Sequence, residues 1–144
     1  MSLADVFNIA GSGMNAQSMR LNTTASNIAN AETASSSSDE VYRGRHPVFS
    51  AMLLNAQGNE SMSMDENPSM GVNVDGIVES GAPLQKRYEP HHPKADEEGY
   101  VHYPNVNVVE EMTNMISASR SFQVNVDVMN AAKQMVQRVL TLGQ

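Results

Sequence analysis

The stretch Val108-Val-Glu-Glu-Met112-Thr-Asn-Met115-Ile-Ser-Ala-Ser119-Arg-Ser-Phe122-Gln-Val-Asn-Val126-Asp-Val-Met129-Asn-Ala-Ala-Lys133-Gln-Met-Val136-Gln-Arg-Val-Leu140 decides the fold class. Val108, Met112, Met115, Ser119, Phe122, Val126, Met129, Lys133, Val136 and Leu140 alternate spacings of four and three, and eight of these ten positions are apolar. That is the heptad pattern of a helix that buries one stripe against another helix. Pro104 precedes the stretch, where it cannot break the helix, and Glu110 and Glu111 fall in the early turns, where the dipole favours acid. Roughly 35 residues at 1.5 Å each make a rod of about 50 Å. Such a rod outruns any interior a chain of 144 residues can build, so it needs a second helix beside it.

Working outward, residues 3–31 supply a second helical pattern. Phe7, Met14, Leu21 and Ile28 recur every seven residues, with the weaker row Leu3, Ala10, Gln17 and Thr24 beside them. Ser2 and Asp5 suggest an N-terminal cap. Gly11 and Gly13 interrupt the pattern and cost roughly 2 kcal/mol relative to alanine. This helix therefore depends on partners.

Residues 34–104 differ in kind. Ala34-Ser-Ser-Ser-Ser-Asp-Glu40 reads as a flexible linker or loop. Val72, Val74, Ile77 and Val78 alternate around Asp75-Gly76, a dipeptide that marks a bulge or a short hairpin. Leu84 to Tyr88 suggests another strand, and the segment from Tyr88 to Tyr100 has the Pro, Gly and acid of a loop. The expected fold is mainly α with a small β insert. Its N- and C-terminal long helices (1–33 and 105–144) pair as a coiled coil, and 34–104 forms the irregular, β-rich middle.

Composition limits function. The net charge of −7 opposes non-specific nucleic-acid binding, which requires cationic side chains to displace phosphate counterions. The absence of cysteine excludes disulfides, thiolate metal sites and thiol nucleophiles. Eleven methionines against seven aromatics (three Phe, four Tyr, no Trp) point to adaptable interfaces rather than one rigid interior. The first ten residues have no basic and apolar regions of a cleavable signal, and no run is long enough to span a membrane.

Chemical motifs are weak. Gly11-Ser12-Gly13 follows no strand and lacks the third glycine of a dinucleotide loop, so small residues for close helix approach explain it better. His91, His92 and His102, with Glu89, Asp96, Glu97 and Glu98, lack the spacing of a metal site. No nucleophile elbow or phosphate loop occurs. The expectation is a structural protein with no catalytic residues, no metal and no cofactor, binding neither nucleic acid nor a small-molecule substrate. Its assembly interface is expected at Phe7, Met14, Leu21, Ile28, Met112, Met115, Phe122, Val126, Met129, Val136 and Leu140.

Ala25-Ser-Asn-Ile-Ala-Asn-Ala-Glu-Thr33, after an amphipathic start, resembles the N-terminal signature of bacterial flagellar rod and hook proteins. Tyr42-Arg-Gly-Arg-His-Pro-Val-Phe49, Asp96 to Met112, Ser117 to Asn125 and Asn130 to Met135 are similar to the proximal-rod members of that family. Where rod and hook proteins usually follow the signature with a Thr-Pro-Gly-Tyr type turn, Thr33 here leads into serines and Tyr42 comes late. The resemblance implies a structural subunit of the flagellar basal body. It would be exported through the flagellar type III apparatus and polymerise helically in the periplasm into a tube that transmits torque and conducts exported subunits. The implied partners are further copies of itself, other rod proteins and the membrane-embedded ring.

Overall fold

The computed structural model describes residues 3–53 and 70–142. Two long helices, α1 (Leu3–Asn30) and α2 (Val108–Leu142), bracket four strands: β1 (Arg45–Leu53), β2 (Met70–Glu79), β3 (Gln85–Tyr88) and β4 (Tyr100–Tyr103). β1 and β2 form one two-stranded sheet, and β3 and β4 form another. The chain is thus mainly helical with a small β insert. The cap expected at Ser2 lies outside the described residues.

Local chemistry accounts for the elements. Asn107 caps α2: its side-chain oxygen accepts the backbone N–H groups of Val109 at 3.1 Å and Glu110 at 3.4 Å. β3 and β4 pair antiparallel with Lys86 opposite His102 and Tyr88 opposite Tyr100. Gly99 closes this hairpin at φ +83°, and a Cβ there would sit 2.9 Å from the Tyr88 ring. β2 runs straight through Asp75-Gly76, so this dipeptide marks no hairpin turn. The Asp75 carboxylate instead accepts hydrogen bonds from Ser50 and Asn73, fixing it inside the strand pair. β1 and β4 are not anticipated from sequence. Pro47 interrupts the first pattern, which is tolerated because both strands of a two-stranded sheet are edges, and the second is four residues long.

The residues group into two compact units. One comprises Arg20–Pro47 and Ile77–Ser117. Its buried residues include Ala31, Val41, Val101, Tyr103 and Val106, and at their centre is a polar side chain, Asn27, only 1% exposed. The Asn27 amide is fully engaged. Its nitrogen donates to the Arg45 carbonyl at 2.9 Å and to the Glu111 carboxyl at 3.1 Å. Its oxygen accepts from the Tyr42 hydroxyl at 2.8 Å and the Arg45 N–H at 2.9 Å. One side chain thereby joins α1, the loop before β1, the start of β1 and the first turn of α2. A second amide does similar work: Asn105 accepts from the Gly44 N–H and donates to the carbonyls of Ser80 and Ala82. The serine-rich segment is a loop with one fixed point. Ser35 and His102 exchange backbone hydrogen bonds at 3.0 Å each, and Lys94 donates to the Ala34 carbonyl.

The other unit comprises Met1–Met19, Val48–Gly76 and Ala118–Gln144. Its buried hydrophobic residues, among those described, are Ala10, Ala16, Ala118 and Ala132. Small groups also make its close contacts. A Cβ on Gly13 would lie 3.0 Å from the Asn125 amide nitrogen. A Cβ on Gly71 would lie 3.0 Å from the Ser12 hydroxyl, which accepts the Val72 N–H at 3.1 Å and donates to Ile9. Gly13 and Gly71 are therefore the spacers that let α2 and β2 approach α1. Gly11 meets nothing within 4 Å.

Two predictions follow from this packing. Asn27→Leu leaves the Tyr42 hydroxyl, the Arg45 N–H and the Glu111 carboxyl without their partner, and should cost on the order of 3 kcal/mol in urea denaturation. A loss under about 1 kcal/mol would show that the network is not needed. Gly11→Ala should raise stability by about 0.5–1 kcal/mol, whereas Gly13→Leu should lower it by about 1–3 kcal/mol; thermal melts of both variants check the opposite signs.

Candidate assembly surface

The two faces of α2 divide its apolar residues by size. On the inward face lie Glu111, Ala118 and Ala132, all buried, with Met115, Phe122, Asn125, Met129 and Val136 half-buried. Met115, Phe122, Met129 and Val136 repeat every seven residues on this face, each half-buried. Burial beside the expected companion row 112–119–126–133–140 falls one residue earlier, at Glu111, Ala118 and Ala132, with Asn125 half-buried. Met112, Ser119, Lys133 and Leu140 are exposed and Val126 is half-buried. Side-chain size misleads here, because alanine at 118 and 132 permits a closer approach than methionine or leucine would.

α1 follows the same rule. Ala10, Ala16, Thr23, Thr24 and Asn27 are its buried positions, with Ala31 buried just past its end, whereas Phe7, Met14, Leu21 and Ile28 are half-buried. In the unit built on Asn27, Arg20 donates to the Asn114 side chain at 3.1 Å, one register step from the Asn27–Glu111 pair. As position rises from 20 to 27 on α1, it falls from 114 to 111 on α2, so these segments run antiparallel.

What remains outward on α2 is apolar and ordered in stripes. Val109, Met112 and Ile116 form one, spaced i, i+3, i+7, with Val109 72% and Ile116 70% exposed. Val124, Val128, Met135 and Val139 form another, also on one helix face, and Leu140 is exposed beside its end. The β1–β2 sheet adds exposed Val48, Phe49, Met52, Val72, Ile77 and Val78. Large apolar patches of this kind mark interaction surfaces on soluble chains.

The histidine and acid segment forms no converging set: among the described residues no three His, Asp or Glu side chains are placed to hold a metal. His91 is exposed, and His92 uses its Nδ1 to accept the Lys94 N–H at 3.1 Å. His102 is buried, with Nε2 4.0 Å from the Asp96 carboxylate. Asp96 spends its other oxygen on the N–H groups of Glu98 and Tyr100, an ordinary turn clamp. Tyr103 donates to Glu89 at 3.2 Å, and Arg87 lies over its ring. Desolvation, then the bond to Glu89 and its charge, push the Tyr103 phenol above its ordinary value of 10.0. No described helix is long and apolar enough to cross a membrane.

Comparison with known proteins agrees with the arrangement. Residues 7–34 match the family described as flagella basal body rod protein. Residues 97–142 match the C-terminal region described for flagellar basal body rod FlgEFG proteins. Over its full length the chain is 46% identical to the flagellar basal-body rod protein FlgC of Escherichia coli O6:H1, covering all of that protein. It is 44% identical to FlgC of Salmonella typhimurium, again over the whole of both chains. With FlgC of Borreliella burgdorferi the identity is 35% over 151 aligned positions, 99% of that protein.

Because the Tyr103 phenol is raised in the folded chain, its contribution to stability is complete below pH 10 and fades as pH climbs through the folded value. Unfolding followed between pH 9 and 12 should show a loss that Tyr103→Phe reduces. Identical alkaline profiles would contradict the assignment.

Proposed function

The chain belongs to the flagellar basal-body rod protein FlgC family, and on that premise we propose that it enters the rod by burying the apolar stripes of α2 against neighbouring subunits. It is a structural subunit of the flagellar basal-body rod and not an enzyme. The observation that supports the docking mode is the division of its interior. One unit closes around Asn27, while the buried apolar residues of the other, among those described, are alanines only. Among the described residues its larger apolar side chains are left half or fully exposed, and covering each one would contribute about 1.5–3 kcal/mol.

In this reading the terminal helices pair along their small-residue faces, as a coiled coil in the finished tube, and meet other subunits through their large-residue faces. Met112 and Leu140 then serve contacts between chains rather than within one. Phe7, Met14, Leu21, Ile28, Met115, Phe122, Val126, Met129 and Val136, half-buried in the single chain, would be covered fully on assembly. An exposed apolar stripe in each of the two units suits a subunit that meets more than one neighbour, as building a helix rather than a closed dimer requires. The neighbours are further copies and other rod proteins. The membrane-embedded ring and the type III export apparatus complete the proposed partners, and the periplasm-spanning rod is the proposed location.

Ile116→Asp and Val128→Asp, placed in separate stripes, should each leave the isolated chain's stability within about 0.5 kcal/mol. Each should still be secreted but be missing from purified basal bodies. Normal rods containing both variants would refute the stripes as contact surfaces.

A further inference from the structure

With no cysteine in the chain, the methionine thioethers are its only soft sulfur nucleophiles. The structure sorts those on α2 into two classes. Met115 and Met129 are half-buried on the inward face. Met112 and Met135 are each 53% exposed, and each sits within an outward stripe. Met112 lies between Val109, three residues before it, and Ile116, four after. Met135 lies between Val128, seven before, and Val139, four after. Helical spacing puts both thioethers among apolar neighbours on the same face. Met52 is exposed too, but it belongs to the β1–β2 sheet.

We propose that Met112 and Met135 are oxidation sites through which a peroxide-class oxidant reversibly blocks incorporation of the free subunit. This rests on the reading of the α2 stripes as contact surfaces. In the step, a sulfur lone pair attacks one peroxide oxygen, the S–O bond forms and the O–O bond breaks. The departing hydroxide takes the proton from the transferred oxygen and leaves as water. The thioether is oxidised by two electrons to the sulfoxide, and the peroxide is reduced. A sulfoxide is polar and a strong hydrogen-bond acceptor, and in the middle of an apolar contact it would be desolvated without a donor. A subunit already in the rod has both sulfurs covered and is protected, so the sensitivity belongs to the unassembled chain. Methionine sulfoxide is enzymatically reducible, which makes the block reversible.

The test has two arms. Purified full-length chain is exposed to hydrogen peroxide and its peptides are mapped by mass spectrometry. Met112 and Met135 should gain oxygen at least about fivefold faster than Met115 and Met129, in keeping with their exposure. Equal rates would overturn the proposal. In the second arm a host strain lacking its own copy produces the chain during growth in sub-lethal hydrogen peroxide, and its amount in isolated basal bodies is measured. Native chain should fall about tenfold relative to untreated cells, while the Met112→Leu/Met135→Leu double variant should stay at whatever level it reaches itself in untreated cells. Equal losses for the two chains, or no loss for either, would overturn it. Met112→Asp/Met135→Asp without peroxide separates the underlying reading: if this variant assembles normally, the stripes are not contact surfaces and the proposal falls with them. If it is excluded but the leucine variant remains as peroxide-sensitive as native chain, only the oxidation proposal fails.

Discussion

The side chain on which the fold turns is the Asn27 amide. A buried amide is costly unless each of its groups is paired, and here two donations and two acceptances come from three separated parts of the chain. No apolar residue could substitute, because the partners are a backbone N–H, a backbone carbonyl, a phenol and a carboxyl at fixed directions. That directionality is what a small unit with few large buried side chains requires. Hydrophobic contact alone would allow the loop before β1 and the first turn of α2 to slide; four hydrogen bonds to one amide do not.

The contrast between the two units links packing to function. Where Asn27, Val101, Pro104 and Val106 are buried, the chain satisfies itself. Where the buried apolar side chains are Ala10, Ala16, Ala118 and Ala132, little apolar area is removed from water. The larger side chains that would ordinarily fill such an interior stand at its margins or on its outer surface. For a monomer this would be a poor use of sequence. In the proposed assembly mode small residues serve intrachain approach and large ones contact with neighbours, so that stability and assembly would draw on different residues.

The glycines and serine of Gly11-Ser12-Gly13 illustrate how far a motif reading reaches. Close approach is a sound explanation for Gly13, which faces Asn125, but Gly11 has open space around it. Ser12 has a role no pattern suggests: its hydroxyl takes the Val72 N–H of β2, a strand about sixty positions away. Likewise Ser35, one of four consecutive serines and without distinction in sequence, pairs with His102 through its backbone. Both interactions use groups that almost any serine offers, so only the path of the chain shows which serine is used.

Periodicity alone determined the two long helices and their approximate limits, since these follow from local propensity and a seven-residue repeat that no distant contact needs to supply. The Asn-rich end of α1 likewise carried the family resemblance without help from coordinates. The companion row of α2, the strands β1 and β4 and the four partners of Asn27 were decided only in the tertiary structure. The physical reason is common to them. Hydrophobic patterning scores a position by how much it gains from burial, whereas burial here goes to residues that are small enough to let backbones approach or polar enough to join distant segments. Those properties acquire value only when the partner is in place, and the partner is not a sequence neighbour.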